Sequence, residues 1–362
     1  MVVTYDLASA GGGVKQHALD LAEALRGFGD QVTVIGPASA PIDDPRIHTF
    51  GGVVNVPANG SDNMLGILVS PLAVRRFFRE HTFDVIHIHE PLQPSLAYWT
   101  VWFTRHLPHV ATFHAFAEAE STALAVARRA WGTTVFPWYQ RAIAVSPAAH
   151  TYASSAWQRP LAVIPNGVST SLFSDSPVLR VDRRVRLLFV GRLGDPRKGG
   201  TILFEAYRKL IESGRDVVLD VIGELGNAPP PPDLPGLTFH GAVDRARLIE
   251  MYGACDVFVA PSTGQESFGI VLLEAMASSK PVVCSDIEGY RRVAGPGTQL
   301  VPPRDSEALA RAIEHTLAIG RRERQKLGAL NRHHVEQFDW HAIVERVRGE
   351  YLCALDAMAS RS

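Results

Sequence analysis

Glu266-Ser267-Phe268-Gly269-Ile270-Val271-Leu272-Leu273-Glu274 sets two carboxylates on either side of an apolar run that opens with Ser-Phe-Gly. The pattern reads as a loop turning into a helix N-terminus, where unpaired backbone N–H groups and the positive end of the helix dipole favour an anion. Glu266 falls on the loop and Glu274 about one turn into the helix, so both can face a ligand whose phosphates rest on Phe268, Gly269 and Ile270. A surface loop followed by a core helix that carries two acids is the bland alternative. The stretch follows the apolar run Val257 to Ala260, and strand, loop, helix is the unit from which parallel sheets are built.

That run has companions. Strands are predicted at Leu187 to Val190, Val217 to Ile222 and Val282 to Cys284, with helices at Thr201 to Ser213, Arg245 to Gly253, Ile270 to Ser278 and Ser306 to Leu317. An earlier series begins with Val2 to Tyr5, a glycine turn at Gly11-Gly12-Gly13 and a helix from about Val14 to Arg26. It continues through strand-like runs at Val32 to Ile35, Asp84 to Ile88, Val110 to Phe113, Ala142 to Val145 and Leu161 to Ile164. Short apolar runs bounded by helical stretches are expected for parallel strands buried on both faces, so the fold class is α/β. The turn Pro165-Asn166-Gly167 and the Ser- and Arg-rich stretch after it put a domain boundary near residues 165 to 175. A final helix from Trp340 to about Ala357 has no destination legible from periodicity. Pro229 to Pro232 is expected to form extended polyproline in a rigid loop between two strands, with recognition by a proline-binding module as the alternative. The first strand is short for a buried parallel strand. A few upstream residues are therefore expected to be missing through a misassigned start, which an intact mass matching Met1 to Ser362 would reject.

At 362 residues, 46% hydrophobic and 20% charged, the chain is expected to be globular and divided into two domains. Thirty-six Lys and Arg against 37 Asp and Glu leave no basic field for nucleic acid, so any anion site must be local. Cys255, Cys284 and Cys353 form no CxxC pair and are odd in number, which argues against a disulfide framework and a zinc knuckle and for a reducing cytoplasm. No signal-peptide pattern and no apolar run of about 18 residues is found, so export and membrane spanning are not expected.

Three local patterns carry chemistry. Gly11-Gly12-Gly13-Val14 fails the dinucleotide fingerprint because Gln16 stands where its third glycine belongs, and no Walker lysine-serine pair follows. What remains is a tight turn, either plain or approaching a phosphate at a helix N-terminus. Gly191-Arg192-Leu193-Gly194-Asp195-Pro196-Arg197-Lys198-Gly199 follows a strand and places three cations on a loop leading into a helix, suited to clamping a diphosphate. Solvated loop charges are the alternative. His114 ends the strand Val110 to Phe113, and His87 and His89 alternate on one strand face. A structural role fits lone histidines too, and a metal site would need further ligands, so no metal is expected.

Taken together, Gly11 to Val14, His87-Ile88-His89-Glu90-Pro91, Ala111-Thr112-Phe113-His114, Ile164-Pro165-Asn166-Gly167-Val168, Gly191-Arg192, Pro196-Arg197-Lys198-Gly199, and Glu266 with Glu274 resemble a family-4 retaining glycosyltransferase of GT-B architecture. The similarity is greatest to the bacterial phosphatidyl-myo-inositol mannosyltransferases and includes Pro57-Ala58-Asn59-Gly60-Ser61 and Phe338-Asp339-Trp340. The resemblance implies two Rossmann-like domains facing a cleft. Residues 1–167 would form the acceptor side, joined by a C-terminal helix, 340–362, that crosses back, and 168–339 would bind the nucleotide sugar. It implies that Arg192, Arg197 and Lys198 hold the donor diphosphate, Glu274 the ribose hydroxyls and Glu266 the transferred sugar. Gly12 and Gly13 would approach the diphosphate from the other domain, and His114 would contact the sugar near the reacting centre. His114, Arg192, Lys198 and Glu266 are thus the implied catalytic set, and no tightly bound cofactor is expected.

The implied acceptor is a lipid-linked or polyol group such as phosphatidylinositol, touched by Tyr5, Asn59 and His114. GDP-mannose is the first donor and a UDP-sugar the second, because Val243-Asp244-Arg245 carries an Arg where the mannosyltransferases tend to have an acid. Ser9-Ala10 likewise replaces an acidic residue before the paired glycines. Within the basic, aromatic helix Pro71 to Arg79, residues Arg75, Arg76, Phe77, Phe78 and Arg79 would engage anionic lipid, making the enzyme cytoplasmic and peripheral on the inner membrane face. A core helix with a solvated basic edge is the alternative. A nucleotide-sugar epimerase, or a two-domain sugar-binding protein hinged at Asn166-Gly167, are the competing functional classes.

Overall fold

The computed structural model describes residues 1–9, 12–58, 61–93, 95–115, 122–173, 184–264 and 266–360, and the chain divides into two compact units, Met1–Gly167 with Trp340–Ser362, and Val168–Asp339. In the first unit the elements run α1 (Gly13–Gly27), β1 (Val34–Gly36), β2 (Ile47–Thr49), β3 (Gly52–Ala58), β4 (Ser61–Ile67), α2 (Pro71–Glu80), β5 (Ile86–His89), α3 (Leu96–Phe103), β6 (His109–Phe113), α4 (Thr122–Val135), β7 (Arg141–Ala144), α5 (Pro147–Ser154) and β8 (Ala162–Val163). The second contains β9 (Val185–Val190), α6 (Gly200–Glu212), β10 (Val217–Ile222), β11 (Leu237–Gly241), α7 (Arg245–Ala254), β12 (Val257–Ala260), α8 (Ile270–Ala277), β13 (Val282–Ser285), α9 (Glu288–Arg291), β14 (Thr298–Val301), α10 (Ser306–Ala318) and α11 (Gly320–Val335). The last helix, α12 (Trp340–Ala359), returns to the first unit.

The second unit is a six-stranded parallel sheet ordered β11-β10-β9-β12-β13-β14. The chain starts at the centre, winds outward to one side and then to the other, the doubly wound order in which ligands bind beyond the carboxyl ends of the strands at the reversal between β9 and β12. Alternating side chains feed two cores. Leu187 and Phe189 of β9 join Leu203, Leu210, Leu309 and Ile313 on one face, while Leu188 joins Tyr252, Leu272, Leu273 and Val335 on the other. Burial on both faces is why these strands read as continuous apolar runs.

In the first unit β5-β6-β7-β8 form a parallel sheet, and β1 pairs in parallel with β2. Val2 links them: its N–H donates to His87 O, its carbonyl accepts from His89 N, and Val3 N donates to Ile35 O. The strand expected at Val2 to Tyr5 is therefore reduced to isolated bridges at Val2 and Tyr5, with the Thr4 carbonyl between them accepting from Gly66 N. Leu21 and Leu25 of α1 pack with Trp340, Ile343, Val344 and Val347 of α12 over Val110 and Ile143, and α2 and α3 cover the opposite face. The proline run lies between β10 and β11, both strands.

The expected face of α2 needs one correction. Phe77 is buried with Val74, stacked on His81 at a centroid distance of 4.3 Å, and Phe78 packs partly buried against the same cluster. Phe77 thus belongs to the core and is unavailable to lipid. Arg75, Arg76 and Arg79 are exposed, and among the described residues Leu68, just before α2, and Leu72, at its start, are 86% and 75% exposed. Among the described residues no helix is long and apolar enough to cross a membrane.

Candidate functional site

In the second unit, the loops after β9 and β12 are sewn together. Arg197 O accepts from Thr263 N at 2.7 Å, and Lys198 Nζ donates to Glu266 Oε1. Gly199, at φ +74°, permits the approach, since a Cβ there would overlap the carbonyl of Pro261. Asp195 organises the cations. Only 3% exposed, it accepts from Arg197 N at 3.0 Å and Arg197 Nε at 2.9 Å, while its second oxygen accepts from Arg197 Nη2 at 2.6 Å and lies 3.9 Å from Arg192 Nη2. Burial lowers the Arg197 pKa, but the hydrogen bond and charge of Asp195, with Glu266 adding, outweigh it and hold the guanidinium above its ordinary value. Three cations, Arg192, Arg197 and Lys198, and two carboxylates, Asp195 and Glu266, therefore converge at the ends of the two strands that flank the reversal.

Glu266 leads into α8 through Gly269, whose φ of +99° and 2.7 Å virtual Cβ distance from the Tyr290 ring require glycine. The Phe268 side chain is buried against Phe338, so only backbone at Phe268, Gly269 and Ile270 is left to meet an anion. Glu274 sits one turn into α8, 6% exposed, and accepts from the Tyr252 hydroxyl at 2.9 Å. Burial first, then the Glu274 charge and hydrogen bond, push the Tyr252 pKa well up, keeping the phenol a donor.

The first unit gathers a histidine cluster at the carboxyl ends of β5 and β6. His114 Nε2 and His89 Nδ1 are 3.0 Å apart, His17 of α1 lies against the His114 ring at 4.8 Å, and His87 bonds Thr112 Oγ1 and the Tyr351 hydroxyl, each at 2.7 Å. Burial lowers the His17 pKa to about 3 and, with charge from neighbouring histidines, puts those of His89 and His114 well below the ordinary value, so the imidazoles are neutral at pH 7. Among the described residues His17 Nδ1 and His89 Nε2 are buried with no hydrogen-bond partner, which leaves the cluster capacity for a polar ligand atom. Among the described residues His17, His89 and His114 also form a group able to hold a metal ion, with one ligating atom from each all within 4.8 Å of one another.

Beside this cluster Glu90 Oε1 accepts from the backbone N–H of His114 at 2.6 Å and of Ala115 at 2.7 Å. Burial raises its pKa to about 7 against those two bonds. Burial and the charges of Glu90 and Tyr152 push the Tyr5 hydroxyl above its ordinary value. Gly12, at φ +120°, caps α1, and Gly13 is the first helical residue. Asn59 lies outside the described residues.

The sequence missed His17, Asp195, Tyr252 and Glu90 as site-supporting groups. His17 had a signal, one helical turn beyond Gly13, and Asp195 precedes Pro196 as helix caps do; Tyr252 reaches Glu274 from a different helix and had none.

Two parallel α/β units in one chain, one of them with cations and carboxylates converging at its strand ends, define a GT-B glycosyltransferase. The sucrose-phosphate synthase of Thermosynechococcus elongatus has this fold, with TM-score 0.74 and 24% identity over 98% of this chain and 96% of that one. Residues 11–172 match the family model described as Glycosyltransferase Family 4, and residues 184–318 that described as Glycosyl transferases group 1. The chain belongs to glycosyltransferase family 4. Its curated relatives include the phosphatidyl-myo-inositol mannosyltransferases of Mycobacterium leprae, 36% identical over 94% of this chain and 92% of the relative, and of Mycolicibacterium smegmatis, 36% identical over 94% and 90%.

Proposed function

We propose that this enzyme is a retaining mannosyltransferase that moves mannose from GDP-mannose to a phosphatidylinositol-type acceptor at an anionic membrane surface. The observation that carries the reading is the Lys198–Glu266 pair beside Arg192 and Arg197 at the ends of β9 and β12, together with relatives named for mannosyl transfer to phosphatidyl-myo-inositol. In this reading Arg192, Arg197, Lys198 and the α8 N-terminus hold the diphosphate, and Glu274, oriented by Tyr252, takes the ribose hydroxyls. Glu266 and neutral His114 bind the sugar, Gly12 and Gly13 bring the α1 N-terminus to the diphosphate, and Tyr5 and Asn59 face the acceptor.

The reaction breaks the bond from the anomeric carbon to the diphosphate through an oxocarbenium-like state, while negative charge grows on the leaving group. Arg192 and Lys198 stabilise that charge. The acceptor hydroxyl bonds the anomeric carbon from the face being vacated, and its proton passes to the departing diphosphate oxygen, so configuration is retained. Neutral His114 donates a hydrogen bond to a sugar hydroxyl without exchanging a proton.

The test is product formation from GDP-mannose and phosphatidylinositol vesicles, with UDP-glucose in parallel. Arg192→Ala and Lys198→Ala are each expected to lower turnover about a hundredfold, the loss of one preorganised donor at roughly 2.7–4 kcal/mol. Wild-type turnover in either variant rejects the diphosphate assignment, and transfer from the UDP-sugar alone selects the second donor.

A further inference from the structure

Glu90 is a buried carboxyl that the transfer step leaves without a role. It follows the last residue of β5 and holds φ at +57°, a left-handed conformation that a non-glycine residue keeps only when its surroundings enforce it. What enforces it is visible on both sides. Glu90 N donates to Thr112 O at 2.9 Å and its carbonyl accepts from Gln93 N at 3.1 Å, so its backbone is locked while the side chain turns toward the end of β6. The ladder of β6 stops at Phe113. The next two N–H groups, of His114 and Ala115, converge on a single carboxyl oxygen, Glu90 Oε1. With the residue 4% exposed, both bonds run through a dry, low-dielectric region where they are strong and directional. The imidazole they carry is fixed at its far end by His89 Nδ1, and His89 adjoins Glu90 in the chain.

We propose that Glu90 is a positioning residue for sugar transfer: by gripping the backbone of His114 and Ala115 it sets the aim of the His114 imidazole. The inference rests on the reading of His114 as a sugar contact. It follows from the geometry that reach, not charge, is what Glu90 supplies. A glutamine offers an oxygen at the same place and can accept both N–H groups, whereas an aspartate keeps the charge but falls one methylene short.

The test is a double-mutant cycle on the full-length enzyme, reading kcat, donor KM and melting temperature. Glu90→Ala and Glu90→Asp are each expected to lower kcat about 100-fold, the effect of roughly 1 Å of misplacement, with donor KM changed less than about threefold. Glu90→Gln is expected to stay within about fivefold of wild type. In a His114→Ala background, Glu90→Ala is expected to cost nothing more, because the group it aims is gone. If Glu90→Ala does not fold, Glu90→Asp takes its place in the cycle. Additive losses in the double variant, or a Glu90→Gln enzyme as impaired as Glu90→Asp, overturn the proposal. A His114→Ala enzyme with wild-type kcat instead removes the reading of His114 itself, so the two failures are told apart.

Discussion

The histidines and Glu90 of the first unit are tuned by burial more than by charge. His17, His87, His89 and His114 all hold pKa values below that of an exposed imidazole, with desolvation as the leading cause. A base with a depressed folded pKa contributes no penalty above its unfolded value near 6.5 and costs stability as pH falls below it, at up to about 1.4 kcal/mol per pH unit per group. Glu90 works in the opposite sense. Its folded pKa of about 7 exceeds the ordinary 4.5, so the native state is favoured as pH falls through that window. Four imidazoles outweigh one carboxyl. All six tryptophans lie in the first unit, so their emission reports that unit alone. The urea midpoint followed this way is expected to be lower at about pH 5.5 than at about pH 7.5; equal midpoints would contradict neutral buried histidines.

At the scale of elements, what the sequence made legible is what glycine, proline and charge mark. The cationic loop after β9 and the Glu266 loop before α8 stood out because special backbone and clustered charges are rare in ordinary turns, and the apolar strands stood out because both faces are buried. Helix α11 escaped for the converse reason. Its buried side is Arg324, Gly328, Asn331 and Val335, of which only the last is a large apolar residue. Asn331 accepts from Gly297 N and donates to Lys280 O, and Gly328 lies against the Ser279 carbonyl, so a polar and glycine face packs without a hydrophobic period to announce it. The hairpin of β3 and β4 was hidden by Pro57, which counts against a strand except at an edge. In α2 periodicity gave the helix, but charge composition could not tell which phenylalanine faces inward. The corrected face makes its own prediction. Vesicles containing anionic lipid are expected to co-sediment the enzyme at low salt and release it at high salt, with Arg75→Ala/Arg76→Ala/Arg79→Ala weakening binding by up to about 1 kcal/mol per arginine removed. Equal binding to neutral vesicles would rule out an electrostatic face.

For the whole molecule, the first unit is discontinuous in sequence and the second is not. The sequence announced a final helix but not where it packs, since that is settled by partners more than 180 residues away, such as Leu21 and Val110 beneath Trp340, Ile343, Val344 and Val347. Burial of these four large side chains is worth on the order of 6–12 kcal/mol, comparable with the roughly 5–15 kcal/mol that hold a domain together. A chain ending at Asp339 is expected to lose the cooperative tryptophan transition while the second unit keeps a transition in far-ultraviolet circular dichroism. A sharp tryptophan transition in that truncated chain would show that α12 is dispensable.

The return of α12 also fixes an order of events in synthesis. Domains ordinarily complete in the order in which they emerge from the ribosome. Here Met1–Gly167 emerges first but must wait, its strip around Leu21, Leu25, Val110 and Ile143 uncovered, until all of Val168–Asp339 has been made and the last helix follows. The order in which the two units complete is therefore the reverse of the order in which they begin.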